Sequence, residues 1–186
     1  MGCTHQHNFG SRCATCILSI NIIAVITLIT VAEAALNVHE PYVLKGTVPT
    51  ALANFGAPPL TTRLIRGPLV IAEGITGCTA VPRQRYVGKI VLAVRGGCSF
   101  ASKAIVAQDA GALGIIIANS PEQTPPGETV GELFTMADDG QGMKVRIHAE
   151  MVGPTDGKLL SRAIQEYNEE VIVSLGHLVD SPMYMV

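Results

Sequence analysis

The residues best placed by type and spacing to do chemistry lie in one short run, Arg95-Gly96-Gly97-Cys98-Ser99-Phe100, with Lys103 one turn further on. Cys98 falls just before a helix start with Arg95 nearby, a setting that lowers a thiol pKa and can make a nucleophile. Paired with His148 it would give a small secreted cysteine hydrolase, but Cys78 is available as a disulfide partner and would consume that nucleophile. Lys103 reads as a surface lysine whose stem follows the helix while its ammonium reaches water or a carboxylate. Arg95 has the stronger claim to a role, because the two glycines after it let the backbone approach a partner closely. His148 reads as a strand residue on an exposed or half-buried face, and His39 and His177 fall in loose segments.

Other constellations are weaker. Asp138-Asp139-Gly140 invites calcium, yet an EF-hand spreads its oxygen ligands over about twelve residues and ends on a bidentate Glu; a solvated acidic turn fits better. His5, His7, Cys13 and Cys16 suggest zinc, but the Cys-x-x-Cys sits directly on an apolar run and the His spacing is not that of a folded knuckle. No nucleophile elbow, His-Glu-x-x-His, phosphate loop or dinucleotide fingerprint is present. No catalytic residue, metal or cofactor is expected.

The elements that must position these residues form one strand–helix–strand unit over residues 88–120. Residues 89–94 are apolar and β-branched, Arg95-Gly96-Gly97 breaks the run, and Ser99 can cap a helix that Gly111 ends. Ile115-Ile116-Ile117 then gives a second strand, parallel to the first. Upstream, the prolines over residues 35–60 suggest a short strand with irregular entry segments, residues 60–65 alternate like a half-buried strand, and residues 68–72 form another with Pro at its edge. Residues 74–85 read as a loop and residues 120–131 as a mobile excursion. A strand over 145–152, a helix capped by Thr155 or Asp156, and a strand over 170–175 make a second unit that extends the sheet.

In that order and spacing, Gly88-Lys89-Ile90-Val91-Leu92, Arg95-Gly96-Gly97-Cys98-Ser99-Phe100, Lys103 and Ala110-Gly111-Ala112 resemble the signature of the protease-associated (PA) domain. The resemblance extends to Asn54-Phe55-Gly56, Gly77-Cys78 and Asp156-Gly157-Lys158-Leu159-Leu160, covering most of residues 42–175. Leu133-Phe134-Thr135-Met136-Ala137-Asp138-Asp139-Gly140 is most similar to the PA domain attached to the α-mannosidase-like proteins of endoplasmic-reticulum degradation. The resemblance implies a compact α/β fold, a mixed sheet of short strands with two or three helices. It also implies a non-catalytic module that binds proteins or peptides, restricts access to a protease or mannosidase, or sorts cargo. The sequence departs from the family at Ile147-His148, where PA domains usually carry Ile-Pro.

Composition agrees with such a module. A net charge of −2 gives no electrostatic case for nucleic acid, and 4% aromatic residues with no Trp leave few stacking platforms for bases or sugars. Between Arg12 and Glu33 no residue is charged, and Ala32-Glu33-Ala34 has the small-x-small form of a signal-peptidase site. Residues 1–34 are therefore expected to be a secretory signal or, if retained, a membrane anchor of about 20 residues. Residues 35–176 then form the PA domain and 177–186 a tail. Localisation in the endoplasmic-reticulum lumen or outside the cell follows. Cys78 and Cys98 become the two cysteines of the mature part and should pair in that oxidising compartment.

The expected function is a secretory-pathway protein-interaction module whose partner is a protein or peptide, with a glycosidase or protease of that pathway one candidate. Its expected surface is Arg95, Gly96, Gly97, Ser99 and Phe100 beside residues 74–85. A membrane-tethered cargo receptor is the alternative if the N-terminal run is kept.

Overall fold

The computed structural model describes residues 35–57, 64–120, 122, 133–167 and 170–176. The N-terminal apolar run, most of the 120–131 segment and the C-terminal tail lie outside them, and with them the signal and anchor readings, the His5/His7/Cys13/Cys16 zinc reading and His177. Among the described residues no helix is long and apolar enough to cross a membrane.

Seven strands, β1 (Ala35–Glu40), β2 (Gly46–Leu52), β3 (Ile65–Ile71), β4 (Ile90–Val94), β5 (Gly114–Ala118), β6 (His148–Val152) and β7 (Ile172–Leu175), close into a barrel in the order β1-β2-β6-β5-β4-β3-β7. Helix α1 (Phe100–Asp109) joins β4 to β5, and α2 (Pro154–Glu166) follows β6. The expected mixed α/β sheet of short strands with two or three helices is therefore present, with two helices among the described residues, and its closure removes the edges an open sheet would expose.

Strands β3, β4, β5 and β6 run parallel, with Leu69 opposite Ile90, Ile90 opposite Gly114 and Gly114 opposite His148. Strands β4 and β5 are almost wholly buried, as parallel strands covered on both faces must be. Alternation sorts their side chains. Ile90, Leu92 and Ile116 face inward with Leu36, Leu69, Val173 and Leu175, while Val91, Ala93, Ile115 and Ile117 face α1. The buried apolar residues of α1 are Ala101, Ala104 and Ala107, small enough to let the helix lie close on the sheet.

Four sequence expectations change here. The proline-rich start forms two strands, not one, because β1 and β2 pair antiparallel and join β7 to β6. Residues 60–63 of the expected 60–65 strand lie outside the described residues; strand β3 runs from Ile65 through Pro68 without a break, and Pro68 lies between two neighbours, with Leu69 N donating to Val171 O at 2.7 Å. Strand β7 does not continue a parallel unit with β6: it runs antiparallel between β1 and β3 and closes the barrel. Helix α2 is capped by Gly153 with Pro154 in its first turn, which places Asp156 inside the helix where its carboxylate complements the dipole.

Helix α2 seats Leu160 and Ala163 on the inner cluster, and Gly157 makes the approach possible: a Cβ there would stand 2.3 Å from the Ala118 Cβ. Gly157→Ala is therefore expected to destabilise the domain by about 1–3 kcal/mol through overpacking, despite alanine's better helix propensity. Urea unfolding monitored by circular dichroism measures this; an unchanged midpoint would contradict the close α2–β5 packing.

Candidate interaction cleft

The four parallel strands end together at Ile71, Val94, Ala118 and Val152, so the turns that follow them gather at one end of the barrel. Arg95 begins one of these turns. Its N–H donates to Ala118 O at 2.9 Å, which aligns the turn with the end of β5. Gly96 and Gly97 have φ of +107° and +79°, the left-handed conformations that the Gly-Gly pair suggested. Ser99 then caps α1 as expected, its hydroxyl accepting from Ser102 N at 3.1 Å.

Arg95 is held on two sides. Its Nη1 donates to Asn119 Oδ1 at 3.0 Å, and its guanidinium stacks 4.9 Å from the centre of the Phe134 ring. Phe134 meets Phe100 edge-on at 6.1 Å. Arg95, Gly96, Cys98, Ser99 and Phe100 line one wall of an open cleft of about 330 Å³, and Ala137, Asp138 and Asp139 line the other. The structure thus places Arg95, Gly96, Ser99 and Phe100 of the sequence-expected residues around one cleft, while Gly97 does not line it, and the opposite wall comes from residues 137–139, not from the 74–85 loop.

That opposite wall is built as a turn. Asp138 Oδ1 accepts from Gly140 N at 2.9 Å and Gly142 N at 2.7 Å, and Asp139 Oδ1 accepts from Gln141 N at 3.0 Å. The Ser99 hydroxyl foremost, with the Gln141 N–H, holds the Asp139 carboxyl below the usual aspartate range, so the cleft keeps a carboxylate at its lip. Gln108 Nε2 donates to Lys144 O and Gln141 Nε2 to Ser102 Oγ, tying this wall to α1. Among the described residues no group of His, Cys, Asp and Glu is arranged to hold a metal ion.

Cys78 and Cys98 form the expected disulfide, with Cα atoms 5.8 Å apart, so Cys98 offers no free thiol for the hydrolase reading. Beside the bridge, Lys103 corrects its surface assignment: it is fully buried, donating to Thr76 O at 2.6 Å, to Gly96 O, and to the Cys78 sulfur at 3.3 Å. Its ammonium staples the 74–78 segment to the Arg95 turn. Burial lowers its pKa to about 8.

The histidines are also corrected. His148 is buried on the inner face of β6, its Nε2 2.6 Å from Glu150 Oε1 and its Nδ1 3.3 Å from Ala57 O. Desolvation opposes the charged ring, but the hydrogen bond to Glu150 and that residue's negative charge outweigh it and raise the His148 pKa. His39 sits in β1 bonded to Ser174 Oγ at 2.9 Å, and burial, with Arg66 near, lowers its pKa. Sequence reasoning missed Asn119 and Phe134 as members of the site. Phe134 is one of only four phenylalanines in a chain poor in aromatics, and that scarcity was the available signal.

This barrel, with the cleft at the carboxyl ends of its parallel strands, carries the match to the PA domain over residues 65–160, and the chain belongs to that family. It is 31% identical over 140 residues to ER degradation-enhancing alpha-mannosidase-like protein 3 of Homo sapiens, covering 74% of this chain and 15% of that protein. The protein of the same name in Xenopus laevis is 36% identical over 112 residues, covering 59% of this chain and 12% of that one. The chain thus spans about an eighth to a seventh of these relatives. Among solved structures, a zinc aminopeptidase from Bacillus subtilis superposes with a TM-score of 0.54 at 23% identity over 77% of this chain and 30% of its own, a likeness of fold.

Proposed function

We propose that the chain is a non-catalytic protein-interaction module of the secretory pathway and that the Arg95–Phe100 cleft receives an extended polypeptide. The observation that carries this reading is the arrangement at the cleft wall: a guanidinium oriented by Asn119 and Phe134, an aromatic ring at Phe100 and a carboxylate opposite. Such a wall offers an apolar platform and both charge signs to a peptide, and arginine and aromatic side chains are the residues that dominate binding energy at interfaces. Similarity to mannosidase-like proteins of endoplasmic-reticulum degradation supports a role in glycoprotein quality control within the endoplasmic reticulum, with a glycosidase or protease of that pathway as partner. A tethered form of the same module requires the N-terminal apolar run to be retained, which the mass of the mature chain decides.

Arg95→Ala tests the site. Loss of contacts that include the Asn119 hydrogen bond and the Phe134 cation–π contact should lower stability by about 1–2 kcal/mol, while capture of secretory-pathway proteins weakens at least about tenfold, a loss of about 1.4 kcal/mol. Unfolding of the variant, or undiminished capture, would remove Arg95 from the binding surface.

A further inference from the structure

The two sulfurs of the disulfide occupy different surroundings. Cys98 lines the open cleft. Cys78 faces the buried Lys103 ammonium at 3.3 Å, and the Gly97 backbone comes so near that a Cβ there would stand 3.0 Å from its sulfur. Both cysteines are half-buried, but the cleft opens on the Cys98 side while Gly97 and Lys103 crowd the Cys78 sulfur, so an incoming thiolate has more room at Cys98.

Charge favours the same direction. Thiol–disulfide exchange is fastest when the departing sulfur is the better-stabilised thiolate. The Lys103 ammonium touches the Cys78 sulfur directly, whereas Cys98 faces the α1 terminus, where the Ser99 hydroxyl already takes the Ser102 N–H, and shares its cleft with Arg95 and with the Asp138 and Asp139 carboxylates that offset that guanidinium. The ammonium in contact with Cys78 outweighs the balanced charges around Cys98. With a pKa of about 8, Lys103 carries its proton at neutral pH.

We propose that Cys98 is a thiol-exchange site: a thiolate entering the cleft attacks the Cys98 sulfur, and Cys78 leaves as a thiolate paired with the Lys103 ammonium. One S–S bond forms and one breaks, and the electron pair of the broken bond stays on Cys78. A second thiolate, from the same dithiol or from another thiol, then attacks the mixed disulfide, releasing Cys98 and carrying away the oxidising equivalent. The substrate class is a thiol or dithiol, small or borne on a protein. Lys103 continues to bind Thr76 O and Gly96 O throughout, so the cleft wall keeps its staple while its covalent bridge opens.

The test uses the full chain in its mature oxidised form, exposed briefly to glutathione, quenched with acid, alkylated with N-ethylmaleimide and mapped by mass spectrometry. The proposal expects glutathione on Cys98 and maleimide on Cys78, by at least about fivefold over the reverse; adducts on Cys78, or equal amounts on both, overturn it. Thioredoxin with its resolving cysteine replaced, run as a parallel arm, must also be trapped on Cys98, and the arm that reacts faster per thiolate identifies the source the cleft admits. Lys103→Met should lower the equilibrium constant for reduction by about three- to tenfold, roughly 15–30 mV, and Lys103→Arg should restore most of it. An unchanged or raised potential in a folded Lys103→Met protein contradicts the role of the ammonium, and if that variant does not fold, the adduct map on the native chain decides alone.

Discussion

Replacing Glu150 with alanine is expected to destabilise the domain by about 3–5 kcal/mol, because it strands a buried His148 whose partner at 2.6 Å has gone. Glu150 is itself fully buried, accepting from His148 and from Gly176 N at 3.2 Å through Oε1. Among the described residues its Oε2 has no hydrogen-bond partner. The pair is thus costly to bury and more costly to break. Leucine at both positions should recover most of the loss, since a well-packed apolar pair carries no desolvation penalty. Urea unfolding of Glu150→Ala and of the double leucine variant measures both effects; a Glu150→Ala protein as stable as the parent would mean that His148 stands neutral and independent. The pair also sets a pH dependence. The folded pKa of His148 is raised above 6.5, so its stabilising effect is full below pH 6.5 and is lost as pH rises through the folded value. Thermal midpoints from about pH 5.5 to 8 should fall across that window in the parent and stay flatter in the double leucine variant.

Replacing both Cys78 and Cys98 with serine is expected to lower stability by about 3 kcal/mol in the chain-entropy account of a loop of about 20 residues. The loss is less than the total stability typical of such a domain, and the Lys103 staple still joins the same two segments, so the variant should remain folded. Calorimetry on the double serine variant gives the shift. A fully unfolded product would show that the bridge, and not the buried lysine, holds the 74–78 segment against the Arg95 turn.

The residues 88–120 unit was legible because its signals are local: β-branched runs, a Gly-Gly break, a Ser cap and a terminating glycine each act within a turn or two. The cysteine pairing was legible because Cys78 and Cys98 are the two cysteines that follow the N-terminal apolar run. What was not legible depended on distant segments. Lys103 looks like a surface residue in its helix, and only the carbonyls of Thr76 and Gly96, brought in from other turns, make a buried site for its ammonium. His148 reads as an exposed or half-buried strand position because alternation gives a face but not what lies opposite it, which here is the barrel interior with Glu150 beside it. Pro68 looked like an edge residue because closure of the sheet by β7 is set by the whole topology, not by the residues of β3. The acidic 138–139 turn reads correctly as a turn, but nothing in its own residues places it across the cleft from Phe100.

The measurement that bears most directly on the cleft is site-specific crosslinking. A photoreactive phenylalanine analogue at Phe100, inside the cleft, is compared with the same analogue at Leu159, which is 49% exposed on α2 and lines no part of that cleft. In secretory-pathway extracts the account predicts discrete polypeptide adducts from position 100 that vanish in the Arg95→Ala background, with no comparable adducts from position 159. Equal labelling from both positions, or adducts at 100 that persist without Arg95, would contradict the cleft as the interaction surface.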